Sequence, residues 1–244
     1  MAVAARLLSG LALLAAWWLA SRFTDVRTLP TPEAVAAFIL REARSGDLLA
    51  NVGITLWRVA ASFCLAMATG AVLGIVLGRS RAADRALDTP LLVLLNTPAL
   101  VITVLAYIWL GLTETAAILA VALNKMPNVA VILREGARGL DPGLEEMARA
   151  FRYDRRTWMR HVLLPQLEPF AVAAARSGLS LAWKIVLVVE LLGRPNGVGY
   201  AISYYFQLFD VAALLGYSLV FSAVMLAVDA LVLQPLDAHV RRWR

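Results

Sequence analysis

Lysine is nearly absent from this chain: Lys125 and Lys184 stand against 21 arginines. Cysteine occurs once, at Cys64, which excludes an internal disulfide and leaves no thiolate framework for a metal. The placement of Cys64 in SFCLAM predicts an inert residue of the core. The two histidines, His161 and His239, are isolated, and no metal-ligand spacing surrounds them. No Gly-x-x-x-x-Gly-Lys-Ser/Thr phosphate loop is present, so ATP hydrolysis by this chain alone is not expected. Serines and threonines within the apolar runs have no histidine partner for a hydrolytic triad, which argues against an intramembrane enzyme. Nor does any stretch repeat with a period of 20–50 residues.

What the chain has in abundance is hydrocarbon. Of 244 residues, 61% are hydrophobic and the mean hydropathy is +0.72, where soluble domains hold roughly 45–50% apolar residues. At about 20 residues per crossing, this length predicts an all-α membrane protein of five or six spans, a single domain over residues 1–244. A separate soluble module does not fit. The net charge of +6 sits at the ends of apolar runs, as membrane topology requires, rather than on a basic face suited to nucleic acid.

In chain order, residues 7–20 (LLSGLALLAAWWLA) read as a first span, with a cleaved signal peptide as the rival. Residues 22–47 have balanced charge, and Thr31-Pro32-Glu33 predicts a short surface helix from Pro32 to about Arg44. The second span covers 48–78, with Gly70, Gly74 and Gly78 on one face for close helix packing. Arg58, near its start, is expected to snorkel to the interface. Residues 79–88 read as a loop. A third span follows to Leu110, kinked near Asn96-Thr97-Pro98, then a tight turn at 111–115. The fourth span runs to about Leu133, interrupted at Asn124-Lys125 and Pro127. The fifth covers about 169–192, residues 193–212 read as an aromatic-rich loop, and the sixth covers 213–235. Arginine excess at 79–85, 134–160 and 241–244 alternates with its absence elsewhere, which predicts six spans with both termini in the cytoplasm.

The segment Asp141–Pro165 (DPGLEEMARAFRYDRRTWMRHVLLP) is the one charged island. Seven arginines and five acids lie between Arg134 and Arg160, so it must leave the lipid. Asp141-Pro142 reads as a cap and first turn, with Glu145 and Glu146 near a helix N-terminus, where the dipole favours them. A second short helix is expected from Arg155 to Val162, stopping before Pro165.

Residues 146–165 resemble the cytoplasmic loop of ABC importer permeases: Glu-Ala-Ala, three residues, Gly, nine residues, Ile-x-Leu-Pro. Here the positions are filled by Glu146, Met147, Ala148, Arg152, Val162, Leu164 and Pro165. Met147 replaces an alanine, and Arg152 replaces the glycine. TLWRVAASF at 55–63, SGLSLAWKIVLVVELLG at 177–193 and GVGYAI at 197–202 resemble the nitrate, sulfonate and taurine branch. The resemblance implies a type I importer permease in a bacterial inner (plasma) membrane, pairing with a second copy. Its implied partners are two ABC ATPase subunits, which bind ATP and Mg, and a periplasmic or lipid-anchored substrate-binding protein. This chain itself would bind no cofactor or metal. The coupling residues implied are Glu145, Glu146, Met147, Ala148, Phe151, Arg152, Leu164 and Pro165. Aromatic acids and vitamin-precursor heterocycles are alternative substrates, and a stand-alone secondary transporter or channel is the alternative class.

Lys125 and Lys184 fall mid-span, where a charge costs about 2.5–3.5 kcal/mol and normally faces a cavity or a partner. Together with Asn96, Asn124 and Glu190 they are candidates for an anion pathway. Structural pairing, for instance of Lys184 with Glu190, is the alternative.

Overall fold

The computed structural model describes residues 2–235. Within them the chain is helical, with no strand. In order, the helices are α1 (Ala2–Arg22), α2 (Pro32–Ser45), α3 (Asp47–Arg79), α4 (Arg81–Asn96), α5 (Ala99–Leu110), α6 (Glu114–Arg138), α7 (Pro142–Ala150), α8 (Arg155–Trp158), α9 (Leu164–Gly193), α10 (Val198–Gln207) and α11 (Val211–Val228). Four helices are long and apolar enough to cross a membrane, and α4 with α5, bent by 99° at Thr97-Pro98, makes a fifth crossing if the two count as one span. Of the six expected spans, four, or five with the bent pair, are met on length and composition among the described residues, and α1 is a further apolar helix of 21 residues. The arginines of 241–244 lie outside the described residues.

Local chemistry explains most boundaries. Thr31 caps α2 by accepting the Ala34 N–H, Pro32 occupies its first turn, and Gly46 at φ +90° ends it. Between α3 and α4 only Ser80 interrupts the helix. Its hydroxyl accepts from Ala83 N, so the helix resumes where a loop over 79–88 was expected. The chain does not break at Asn124-Lys125 or Pro127 either. Pro127 is accommodated inside an unbroken α6, as spanning helices allow when neighbours cover the freed carbonyl. The helix starting at Arg155 likewise passes Pro165 without stopping. A π-turn at Met159–Leu163, closed by Leu164 N–H to Met159 C=O, widens the helix just before the proline ring. One continuous helix of 39 residues, Arg155–Gly193, results.

The chain forms two compact units. The first comprises, among the described residues, 2–56 and 190–227. Its core holds Val35 and Phe38 of α2 with Tyr217 and Phe221 of α11, all buried. Phe38 meets Tyr205 edge-on at 5.4 Å and packs against the bare backbone of Gly216, where a Cβ would approach to 2.7 Å. Residues 193–212, expected as a loop, hold α10.

The second unit comprises, among the described residues, 57–189 and 228–235. Small residues set its packing. Gly70, Gly74 and Gly78 lay α3 against α6 so closely that a Cβ on Gly74 would stand 2.5 Å from the Ala130 carbonyl. Ala116, Ala117 and Ala120 of α6 and Ala182 of α9 let these helices close, with Tyr107 donating its hydroxyl to Val189 C=O at 2.9 Å. Arg58 does not snorkel. It is buried and makes a two-pronged ion pair with Glu114, its Nε to Oε1 at 2.7 Å and its Nη2 to Oε2 at 3.0 Å. A carboxylate at the start of α6 satisfies a charge the interface was expected to take. Cys64 is exposed rather than in the core. An apolar side chain on a spanning helix faces lipid as comfortably as protein.

Candidate functional site

The charged segment is built from short-range rules. Asp141 caps α7, accepting Gly143 N–H at 2.8 Å, while its own N–H reaches the Gln166 amide oxygen at 2.8 Å. The Gln166 amide in turn donates to Val162 C=O, so one side chain joins the start of α7 to the root of α9. Ala148 is the buried residue of α7. Glu145 is ion-paired to Arg79 of α3, and that guanidinium lies 5.5 Å from the centre of the Trp158 ring. Glu146 is exposed, Met147 is half-buried, and Phe151 projects with 72% of its surface open. Val162 is buried, whereas Leu164 and Pro165 are exposed.

Helix α7 ends in a Schellman motif. Tyr153 N–H reaches Ala148 C=O at 2.9 Å and Arg152 N–H reaches Arg149 C=O at 3.0 Å. That motif needs a left-handed residue, and Arg152 supplies it at φ +51°. The position at which the importer pattern carries glycine is therefore a glycine-type position here too, filled by arginine at a backbone cost of roughly 1–2 kcal/mol. Asp154 then caps α8. The Thr157 side chain and the backbone N–H groups of Thr157 and Arg156 hold its carboxyl below the usual value.

Lys125 lies on the buried face of α6, only 9% exposed, one turn from Val121, Ala122 and Val129. No hydrogen bond or ion pair reaches it among the described residues. Asn124 is half-buried beside it. Asn128, one turn further on, accepts the Ser177 hydroxyl of α9 at 3.4 Å. Lys184 is exposed, its ammonium 5.5 Å from the ring centre of neighbouring Trp183. Asn96 sits at the α4–α5 bend and donates to Leu92 C=O in its own helix.

Glu190 occupies a different environment. It is fully buried, and both carboxylate oxygens lie 2.9 Å from the Thr55 hydroxyl. One of them accepts Gly199 N–H at 2.8 Å. Asn51 accepts Gly197 N–H and Thr55 accepts Val198 N–H, each at 2.8 Å. Three side chains from α3 and α9 thus satisfy the first amides of α10, whose own N-cap, Gly197, has no side chain to offer. The network continues from Asn51 to the Tyr217 hydroxyl at 3.2 Å, and Glu42 accepts from both Tyr217 and Tyr205. Burial and the nearby Glu42 push the Tyr205 phenol up to about 12, so it stays a donor. Sequence reasoning missed this cluster. Glu190 was singled out as a charge in an apolar run, but the cluster's Asn51 and Thr55, one turn apart on α3, were not.

Residues 70–244 match the family described as binding-protein-dependent transport system inner membrane component. An aliphatic sulfonates transport permease of Bacillus subtilis is 31% identical, over 88% of this chain and 78% of its own length. The nitrate import permease of Synechococcus elongatus is 26% identical, over 78% of this chain and 71% of that protein. Among solved structures, an inward-facing methionine ABC transporter shares the fold at TM-score 0.68 and 20% identity, covering 82% of this chain and 98% of that one. The chain belongs to the binding-protein-dependent transport inner membrane component family, and is a non-catalytic, multi-pass inner-membrane permease subunit of an ABC importer.

Proposed function

We propose that this permease, a single working domain over residues 1–244, carries a small anion such as a sulfonate, taurine or nitrate. It works as a homodimer with both termini in the cytoplasm. Two partner ATPases bind the ATP and Mg, and a substrate-binding protein delivers the anion from outside. The observation that carries the substrate class is Lys125, a cation held on the buried face of the most enclosed span with no counter-charge among the described residues. An ammonium at that depth is stabilised when an anion occupies the space beside it. Asn124 lies next to it on the path, and Lys184 and Asn96 extend the path. The relatives named for sulfonate, nitrate and taurine transport support the same class. Glu190 is the exception: its hydrogen bonds to Thr55 and Gly199 fit a structural anchor better than a pathway residue.

Coupling falls to α7. Its exposed Glu146 and Phe151, with Met147 between them, form a rigid knob set on the long helix α9 through Gln166. When ATP closes the ATPase pair, force on that knob is transmitted to the spans as a rigid-body switch. The test is uptake of labelled taurine, alkanesulfonate and nitrate into proteoliposomes that hold this chain with its ATPase and binding protein. ATP-dependent uptake of one of these anions is expected, abolished by Phe151→Asp while the protein stays inserted. Uptake that persists without the ATPase, or in Phe151→Asp, contradicts the reading.

A further inference from the structure

Beside α7 lies a cavity of about 390 Å3, lined by Arg79, Glu145, Ala148, Arg149, Arg152, Tyr153 and Trp158. Three arginines face one carboxylate, and their commitments differ. Arg79 is engaged by Glu145 and by the Trp158 ring. Arg149 touches the same carboxylate at only 3.7 Å and is 78% exposed. Arg152 is exposed, and no bond to its guanidinium is seen among the described residues, although its backbone is held in the left-handed region. Two cationic forks with spare donors thus stand at the mouth of a cavity walled by two aromatic rings.

We infer that this cavity receives an acidic side chain of the cytoplasmic ATPase, bound by Arg149 and Arg152. The inference rests on the docking role proposed for α7 and adds the chemistry of the contact. A guanidinium grips a carboxylate with two parallel bonds. Phe151, exposed on the same turn, supplies the apolar neighbour that excludes water from such a pair. An anionic lipid surface fits less well. Asp141, Glu145, Glu146 and Asp154 are interspersed with the arginines, which opposes a charged sheet but not a single carboxylate seated between two forks.

The test uses the purified permease–ATPase complex and measures ATPase retention across a salt series. The double variant Arg149→Ala/Arg152→Gly keeps the turn, since glycine suits the left-handed position, and removes both charges. Retention about tenfold weaker at low salt is expected, with a flatter salt dependence. Arg149→Lys/Arg152→Lys keeps the charges but not the two-pronged grip and is expected to restore part of the retention and the salt dependence, which separates lost charge from misfolding. Wild-type retention and salt dependence in the double variant overturn the inference. So does sulfate binding that the arginines govern in the isolated permease while ATPase retention is unaffected by their loss. Phe151→Asp separates the two levels. If it releases the ATPase and the arginine variants do not, α7 docks but this contact is wrong. If none of them releases it, the docking role falls as well.

Discussion

The Glu190 carboxylate accepts the N–H of Gly199 at 2.8 Å, nine residues along the chain and across a turn that only glycine can make. Gly197 sits at φ +106°, and a Cβ there would fall 2.5 Å from the Glu190 carboxyl carbon. Gly197→Ala is therefore expected to destabilise by at least about 1–3 kcal/mol from backbone strain alone, with displacement of Glu190 added. Glu190→Ala leaves the Gly199 amide, in the first turn of α10, without its acceptor and is expected to speed hydrogen exchange there. Thermal unfolding in detergent and exchange mass spectrometry check both. Unchanged exchange in Glu190→Ala removes its anchoring role.

Arg152 invites an opposite pair of effects. Replacing it with glycine relieves a left-handed residue, and the Schellman turn after α7 should gain about 1 kcal/mol. The same change is expected to weaken ATPase retention. A variant more stable yet less well coupled, measured by thermal unfolding and by ATPase stimulation, separates the turn from the charge. Loss of both properties together contradicts the assignment of a glycine-type turn.

The ion pair of Arg58 with Glu114 predicts a strong asymmetry. Arg58 is buried while Glu114 keeps 36% of its side-chain surface open. Glu114→Ala removes the carboxylate paired with a buried guanidinium and is expected to cost about 3 kcal/mol, at the low end for broken buried pairs because Glu114 is partly solvated. Arg58→Met, which leaves only the better-solvated acid, is expected to cost less. Equal losses of thermal stability in the two variants contradict this ordering.

These three cases also mark the limit of what the linear chain discloses. The cap at Thr31, the break at Pro98 and the spacing of Glu146 to Pro165 depend on neighbours in sequence, and were legible there. Glu114, paired with Arg58, and Thr55, bonded to Glu190, lie 56 and 135 residues from them. A charge in an apolar run announces a partner without saying which. Proline misled twice, at Pro127 and Pro165, because packing and a π-turn took up the strain that ends helices in isolation. The α10 helix was hidden because its cap comes from α3 and α9 rather than from its own first residues.

Acid should loosen the start of α8. The carboxyl of Asp154 is held below its ordinary value of 3.8, first by the Thr157 side chain. Its charged form is the one the fold favours. The contribution is therefore complete above that value and is lost as pH falls below it, through the lowered folded value. Exchange at Thr157, corrected for its intrinsic pH dependence, is expected to rise over that window in the wild type and to stay flat in Asp154→Asn. The same profile in both proteins excludes the cap as its cause.

The central claim is that a small anion passes Lys125. Its most direct test is the rate of ATP-dependent uptake of the transported anion by the reconstituted complex with Lys125→Met. The account predicts at least tenfold slower uptake, with the ATPase still bound and ATP still hydrolysed. Wild-type rate and apparent affinity in Lys125→Met would contradict it.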